Sequence, residues 1–254
     1  MSATAIVLAG QRPGRDPLAA HFGIEMKALV PVAGEPMVRR PVRALLAAPG
    51  IGRVLVLGQQ SEKLAEALGD LSGVEVSESK GTIAETILAL CRDPATPWPL
   101  LVTTADHALL DPAMVAQVLA AAQDADVAVG VVERSLLERR LPQSKRTWIA
   151  FGRESVTGAN LFLLASPKAA TAVELWRSVE QDRKKAWRVI ALLGPVWLAM
   201  AAMRLAGLDD LVARLSVRLG LKVRIVRLTN PLAGIDVDSV ADHALAEAIL
   251  QGRA

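Results

Sequence analysis

Three cations gather around a glycine-bearing break near the start of the chain. Arg12, Arg15 and Lys27 follow the apolar run Ala5-Ile6-Val7-Leu8-Ala9, which gives way to Gly10-Gln11-Arg12-Pro13-Gly14-Arg15. Positive side chains beside a glycine-containing loop suit an anion. Three carboxylates complement them. Asp106 closes the stretch Pro99 to Thr104-Ala105, and Asp236 and Asp238 alternate in Gly234-Ile235-Asp236-Val237-Asp238, so both project to one side of an extended segment. Oxygen donors from two distant segments suit a hard cation such as Mg²⁺, which keeps waters and takes phosphate oxygens from a substrate. The single cysteine, Cys91, allows neither an intrachain disulfide nor a cysteine-rich zinc site.

The elements that must hold these groups alternate between strand and helix. Ala5 to Ala9 reads as a central strand, Pro36 to Ala48 as a helix ended by Pro49-Gly50, Arg53 to Leu57 as a strand, Ser61 to Leu68 as a helix capped by its serine, and Val74 to Val76 as a short strand. Strands follow at Pro99 to Thr104 and Val127 to Val132, and Asp111-Pro112 opens a helix between them. Glu133 to Ser144 reads as charged and irregular, Lys145 to Phe151 as an exposed strand, and Val156 to Leu164 as a further strand. The last third offers helices over Pro167 to Val179 and Leu208 to Leu219, a strand over Lys222 to Leu228, and a final helix that Ser239 can cap. The expected fold is α/β, with a mostly parallel central sheet flanked by helices and a helical insertion before the last strand. Residues 1–254 make one domain, with 168–220 as the insertion. In such sheets ligands bind at the carboxyl ends of the strands, where both the first loop and Asp106 fall.

Leu8-Ala9-Gly10, Arg15, and then Lys27-Ala28-Leu29-Val30-Pro31-Val32-Ala33-Gly34-Glu35-Pro36-Met37 resemble the signature of the GT-A-fold, Rossmann-like nucleotidyltransferases. These include the molybdenum-cofactor guanylyltransferase-like enzymes and the sugar-phosphate or polyol-phosphate cytidylyltransferases. Gln11 and Pro13 stand where the family usually has glycine. The terminal stretch, with Asp236, Asp238, Ser239, Asp242 and Leu245 in register, resembles the family's last motif. The resemblance covers residue 1 to about 165 and the last twenty or so. It implies that Leu8, Ala9, Gly10, Gln11, Gly81, Thr82 and Asp106 bind the nucleotide, that Arg12, Arg15 and Lys27 are catalytic, and that Asp106 holds Mg²⁺ together with Asp236 or Asp238. Gly158-Ala159-Asn160 resembles the strand that shapes the acceptor pocket; read alone, Asn160 is a turn residue. Gly81-Thr82 likewise reads alone as the start of an N-capped helix. Lys145, Arg146, Arg183 and Lys184 complete the acceptor side.

The implied enzyme joins an NTP to a small phosphorylated acceptor and releases pyrophosphate, and the short Gly81-Thr82 loop, with little room for a purine, favours CTP. Two other readings stay open. A GT-A glycosyltransferase using a nucleotide sugar should carry Asp-x-Asp where Thr104-Ala105-Asp106 has one carboxylate, and a non-catalytic membrane-recruited binding module follows if Gln11 and Pro13 block the triphosphate.

Composition narrows the partners. Apolar residues make up 52% and charged ones 22%, which suits a folded domain. The formal charge of +3 is unevenly spread: between Arg183 and Arg227 ten Lys or Arg face Asp209 and Asp210, leaving the rest of the chain at −5. So local a basic character, with only 3% aromatic residues, argues against nucleic acid. Val189 to Met203 is a charge-free run of fifteen residues interrupted by Gly194-Pro195, shorter than the roughly 18 to 20 that span a bilayer. A buried helical hairpin is the commoner meaning of such a run; with Trp176, Trp187 and Trp197 and flanking cations, the composition also suits an interfacial helix, giving residues 183–227 a peripheral membrane contact. The chain starts almost directly on its first strand with no basic leader, so the expected location is cytoplasmic, with the inner face of a membrane as the place of any such contact.

Overall fold

The computed structural model describes residues 2–11, 14–79, 81–180, 194–203 and 205–253. Its first strand, β1 (Ala3–Leu8), is buried along its whole length, with Ala5 and Val7 in one apolar cluster and Ile6 and Leu8 in another. A strand that is apolar on both faces needs a covered sheet on either side of it, and the chain supplies one. Two residues each form β2 (Pro31–Val32) and β3 (Glu35–Pro36), a small hairpin apart from the main sheet. The sheet continues with β4 (Ile51–Gly58), β5 (Val74–Glu78), β6 (Leu100–Thr104), β7 (Val127–Glu133), β8 (Ile149–Phe151), β9 (Glu154–Leu164) and β10 (Val223–Arg227). Across the sheet the order is β10-β7-β9-β6-β1-β4-β5, with β8 paired to β9. Among the described strands of this sheet only β9 runs against the rest, being antiparallel to β6, β7 and β8.

Helices cover both faces. On one lie α1 (Pro17–His21), α2 (Arg39–Leu46), α3 (Ser61–Leu68), α5 (Pro112–Leu119) and α6 (Arg134–Arg140), whose buried Leu18, Val42, Leu64, Val115 and Leu137 join the cluster of Ala5 and Val7. On the other, α4 (Ile83–Arg92) packs against α7 (Ala170–Glu180), and Ile87, Leu88 and Val173 meet Ile6 and Leu8. Between β9 and β10 come α7, α8 (Pro195–Ala202) and α9 (Leu208–Leu219), and α10 (Val240–Leu250) closes the chain.

Several expectations change. Residues 134–140 form α6 rather than an irregular segment: Leu137 is wholly buried, and Arg134 pairs with Glu138 one turn on at 2.6 Å, a spacing only a helix brings together. The strand expected from Lys145 is confined to β8, because Arg146 is drawn into ion pairs instead. Ser61 does not cap α3; Gln60, in the left-handed region at φ 58°, occupies that position without a side-chain bond. Asp111 does cap α5, its carboxylate accepting from Met114 N–H at 2.8 Å with Pro112 at the first helical position, so Asp106 is not needed as a cap. Residues 181–193, including Arg183, Lys184 and the start of the apolar run, lie outside the described residues.

His107 is buried beneath the loop after β6, 1% exposed, with Nδ1 3.3 Å from Thr103 Oγ1 and Nε2 without a hydrogen-bond partner. Burial pushes its pKa down from 6.5 to about 4, so the folded protein holds it neutral while the unfolded chain takes a proton. The stability that this asymmetry gives is complete above the unfolded pKa of 6.5 and is lost as the pH falls toward 4. Urea denaturation of the wild type is expected to show about 2 kcal/mol lost through His107 between about pH 7 and about pH 5. His107→Leu should lose correspondingly less over the same interval; an equal loss in both proteins would remove His107 as its source.

Candidate functional site

The carboxyl ends of the parallel strands deliver the sequence-selected residues to one edge of the sheet. β1 ends at Leu8 and passes into Gly10 and Gln11; β6, its neighbour, ends at Thr104 and passes into Asp106, with Ala105 N–H bonded to the Leu8 carbonyl at 3.0 Å. Lys27 comes from a one-turn 3₁₀ helix, Lys27–Leu29, pinned inward by Met26 and Ala28, both buried. Leu8, Ala9, Gly10, Gln11, Lys27 and Asp106 line a single cleft together with Met37.

Gly58 lets β4 approach this loop, since a Cβ there would stand 3.0 Å from the Ala9 carbonyl. Gln11, which replaces a glycine of the expected signature, uses its side chain to tie the loop down. Its Nε2 donates to the Glu25 carbonyl at 3.3 Å, its Oε1 accepts from Lys27 N–H at 3.4 Å, and its own N–H donates to Gln59 Oε1 at 2.9 Å. Gln59 is a residue that the sequence did not single out. Arg15 is exposed on the way into α1, and Arg12 lies outside the described residues.

At the centre of the site the Lys27 ammonium donates to Asp106 Oδ2 at 2.7 Å and to Asp238 Oδ1. Burial alone would lower its pKa, but Asp106 and Asp238 more than reverse this, so Lys27 is a fixed positive charge. For Asp238 burial works the other way, and contact with Lys27 wins, holding the carboxyl below its usual value. Thr104, also not anticipated, donates from Oγ1 to Asp106 Oδ1 at 2.5 Å and fixes the carboxylate's rotation.

Asp238 arrives there because of the strict alternation of its segment. Ile235 and Val237 are fully buried, which leaves Asp236 and Asp238 on the opposite, site-facing side, and Val237 N–H donates to the Asp106 carbonyl at 3.0 Å. Asp236 faces Arg146, whose guanidinium donates to Asp236 Oδ1 at 2.5 Å and to Asp242 Oδ1 at 2.6 Å. Burial, followed by repulsion from Asp238, raises the Asp236 pKa to about 6 against the pull of Arg146. Asp242 in turn forms the capping box of α10 with Ser239. Asn160 reaches Asp236 Oδ2 at 3.4 Å from an irregularity in β9: Val129 pairs with Phe162 and Val131 with Gly158, so three residues oppose Gly130, and Asn160 takes φ 45°. Bulges of this kind re-aim a side chain, and asparagine tolerates the left-handed region better than most residues.

Of the expected acceptor residues, Arg146 is paired with two carboxylates, Asp236 and Asp242, while Lys145 is exposed nearby. Gly81, at φ 90°, and Thr82 follow β5 at the same edge, where Ser79 N–H bonds the Gly58 carbonyl, and Thr82 caps α4 in a box with Glu85. Among the described residues no group of three or more His, Cys, Asp and Glu is gathered as a ready metal cage: Lys27 stands between Asp106 and Asp238, and Asp236 is turned to Arg146.

Residues 5–196 match the family described as the MobA-like NTP transferase domain. The chain belongs to this family. Its fold is that of a hypothetical transferase from Thermus thermophilus, 30% identical over 96% of this chain and 100% of that one, with a TM-score of 0.78. At 12% identity the fold likeness extends to 4-diphosphocytidyl-2C-methyl-D-erythritol synthase from Anaerococcus prevotii, with a TM-score of 0.57 over 98% of this chain and 96% of that one. It extends also, at 12% identity and a TM-score of 0.63 over the whole of both chains, to CMP:2-keto-3-deoxy-manno-octonic acid synthetase complexed with CTP. No curated protein matches the chain. The family makes this NTP transferase a nucleotidyltransferase, and its mostly parallel sheet flanked by helices is the Rossmann-like fold of such enzymes.

Arg146 is the part of this NTP transferase's site whose loss should be felt first in stability. Replacing it with methionine strands Asp236 and Asp242, both partly buried, and is expected to cost about 2 kcal/mol in chemical denaturation. Arg146→Lys should recover less than half of the loss, because one ammonium cannot serve two carboxylates as a guanidinium fork does. Unchanged stability in the methionine variant would show that the terminal segment is held without this bridge.

Proposed function

We propose that this chain is a Mg²⁺-dependent nucleotidyltransferase that joins an NTP, CTP before the others, to a phosphorylated acceptor and releases pyrophosphate. The observation that carries this is the meeting of the first loop, Lys27 and Asp106 in one cleft at the carboxyl edge of the sheet. A phosphate oxygen of the acceptor attacks the α-phosphorus of the NTP. The bond from that phosphorus to the oxygen bridging to the β-phosphate breaks, and its electron pair departs with pyrophosphate, so no protein nucleophile is required.

Each group of residues then has a task. The backbone at Leu8, Ala9, Gly10 and Gln11 cradles the triphosphate, and Arg12, Arg15 and Lys27 offset the charge growing on pyrophosphate. Gly81 and Thr82 border the base; their short loop favours a pyrimidine, and the two cytidine-linked enzymes that share the fold support CTP. Asn160, Lys145, Arg183 and Lys184 attend the acceptor, and Arg146 orients Asp236. The donor set suits Mg²⁺: Asp106 and Asp238 already converge on one cation, the Lys27 ammonium, and Mg²⁺ needs only one or two carboxylates, with phosphate and water completing its shell. Asp236 is the third carboxylate of that set. When bound, the ion supplies Lewis-acid compensation of phosphoryl charge. The same proposal includes a cytoplasmic location and a peripheral contact with a membrane through residues 183–227.

A pyrophosphate-release screen of the common NTPs against sugar, polyol, glycerate and lipid phosphates is expected to give turnover with CTP and one acceptor class, abolished by a chelator and restored by Mg²⁺. Asp106→Asn should eliminate turnover while the protein stays folded, since it removes charge without changing volume. Lys27→Ala should lower kcat by roughly 10²- to 10³-fold. Full activity of Asp106→Asn at saturating Mg²⁺ would overturn the metal role, and absence of pyrophosphate release with every pair would overturn the reaction.

A further inference from the structure

α8 reads Pro195-Val196-Trp197-Leu198-Ala199-Met200-Ala201-Ala202, with no polar side chain on any face. A helix that is apolar all round belongs in a core or against a lipid phase, and this one is not in the core. Val196 is 68% exposed, Met203 and Leu205 just after the helix are 60% and 66% exposed, and Val217 on α9 is 75% exposed. Soluble surfaces seldom place so many large apolar side chains together without a partner.

The chain path locates this surface. Leu208 begins α9 at the carboxyl edge of the sheet, where its N–H donates to Glu154, the first residue of β9, and its side chain packs on Val131 and Val156. α9 runs from there to the opposite edge, where β10 starts at Val223 beside Val127. Gly194, immediately before α8, lies at that opposite end, since a Cβ on it would stand 3.8 Å from the Arg218 guanidinium. α8 therefore returns antiparallel to α9 and brings Met203 and Leu205 back to the carboxyl edge, on the β9 and β10 half of the sheet.

Charge decides what covers it. Between Arg183 and Arg227 ten cations face two acids. Arg227 is taken up by Glu154 and Asp209, and Arg224 pairs with Asp124, but Arg218 and Lys222 are exposed at the end of α9. Arg183, Lys184, Lys185, Arg188 and Arg204 flank α8 in sequence. Two copies of so basic a segment repel one another, whereas an anionic bilayer attracts it. Among the described residues no helix is long and apolar enough to cross a membrane, which leaves lying on the surface as the mode of contact.

We propose that this face docks on an anionic lipid bilayer, with Val196, Met203, Leu205 and Val217 at the boundary between headgroups and acyl chains and Arg218 and Lys222 on lipid phosphates. The acceptor is then an amphiphile that offers its phosphate at the bilayer surface, close to the carboxyl edge. Docking stands by itself; only the choice of acceptor rests on the proposed nucleotidyl transfer.

Flotation with vesicles of equal parts phosphatidylglycerol and phosphatidylcholine tests it. At low salt the protein is expected to float with these vesicles and not with phosphatidylcholine alone, and to be released by salt at about 0.5 M, where screening shortens to a few ångströms. The double variant Met203→Glu, Leu205→Glu, changed only at exposed positions, should bind at least tenfold more weakly. The proposal is overturned by no flotation at low salt, by equal flotation of the double variant, or by self-association that the double variant abolishes in a protein that does not bind vesicles. Pyrophosphate release is scored separately: a protein that floats and releases none overturns the enzymatic reading and upholds the docking.

Discussion

Asp106 and Asp238 come from distant parts of the chain and share the ammonium of Lys27. Two like charges about 4 Å apart at an effective dielectric near 20 repel by roughly 4 kcal/mol, so such carboxylates assemble only with a cation between them. Lys27 is that cation in the unliganded protein. Its charge is held by the two carboxylates and does not depend on a ligand. Pre-formed charge of this kind needs no reorganisation when a negative leaving group develops, which is where catalytic electrostatics are most effective.

Bringing the end of the chain to the end of β6 takes more than one contact. Burial of Ile235 and Val237 fixes which side of the segment faces the site, and the bond from Val237 N–H to the Asp106 carbonyl fixes its register. α10 then braces the element that carries Lys27. His243 Nε2 lies 2.6 Å from the Pro31 carbonyl, and Glu247 accepts from Ala33 N–H at 2.6 Å, both in the β2–β3 hairpin that follows Lys27. Ala33 and Gly34 turn that hairpin at φ 51° and 82°. The terminal segment thus braces the hairpin that follows Lys27.

Patterns that a local rule governs were legible before the structure. The central strands, the cap at Asp111, the cap at Ser239 and the alternation of Asp236 with Asp238 all follow from residue type and spacing, and each is found. Groups defined by what meets across the chain were not. Gln59 has no motif around it, and it matters only because β4 ends beside the first loop. Arg146 looked like a ligand for an acceptor since nothing local shows that Asp236 and Asp242 flank it. α6 was hidden because its charges mask a single buried stripe around Leu137. The family comparison recovers the general kind of transfer, but these long-range partners depend on packing alone.

The reversed strand β9 divides the sheet in a way that bears on how such an enzyme can diversify. On one side of it lie β6, β1, β4 and β5, which carry Asp106, the first loop and the Gly81-Thr82 turn; on the other lie β7 and β10. Asn160 sits at the divide, aimed by its bulge at Asp236. The helices α7 to α9 are inserted between β9 and β10: α7 packs on α4 and reaches Ile6 and Leu8 of β1 through Val173, whereas α9, among the described residues, packs through Leu208 and Val212 on β7, β8, β9 and β10. On the proposed reaction, the half that carries the first loop can keep its way of holding a triphosphate while α8 and α9 alter where, and on what kind of surface, the second substrate is met.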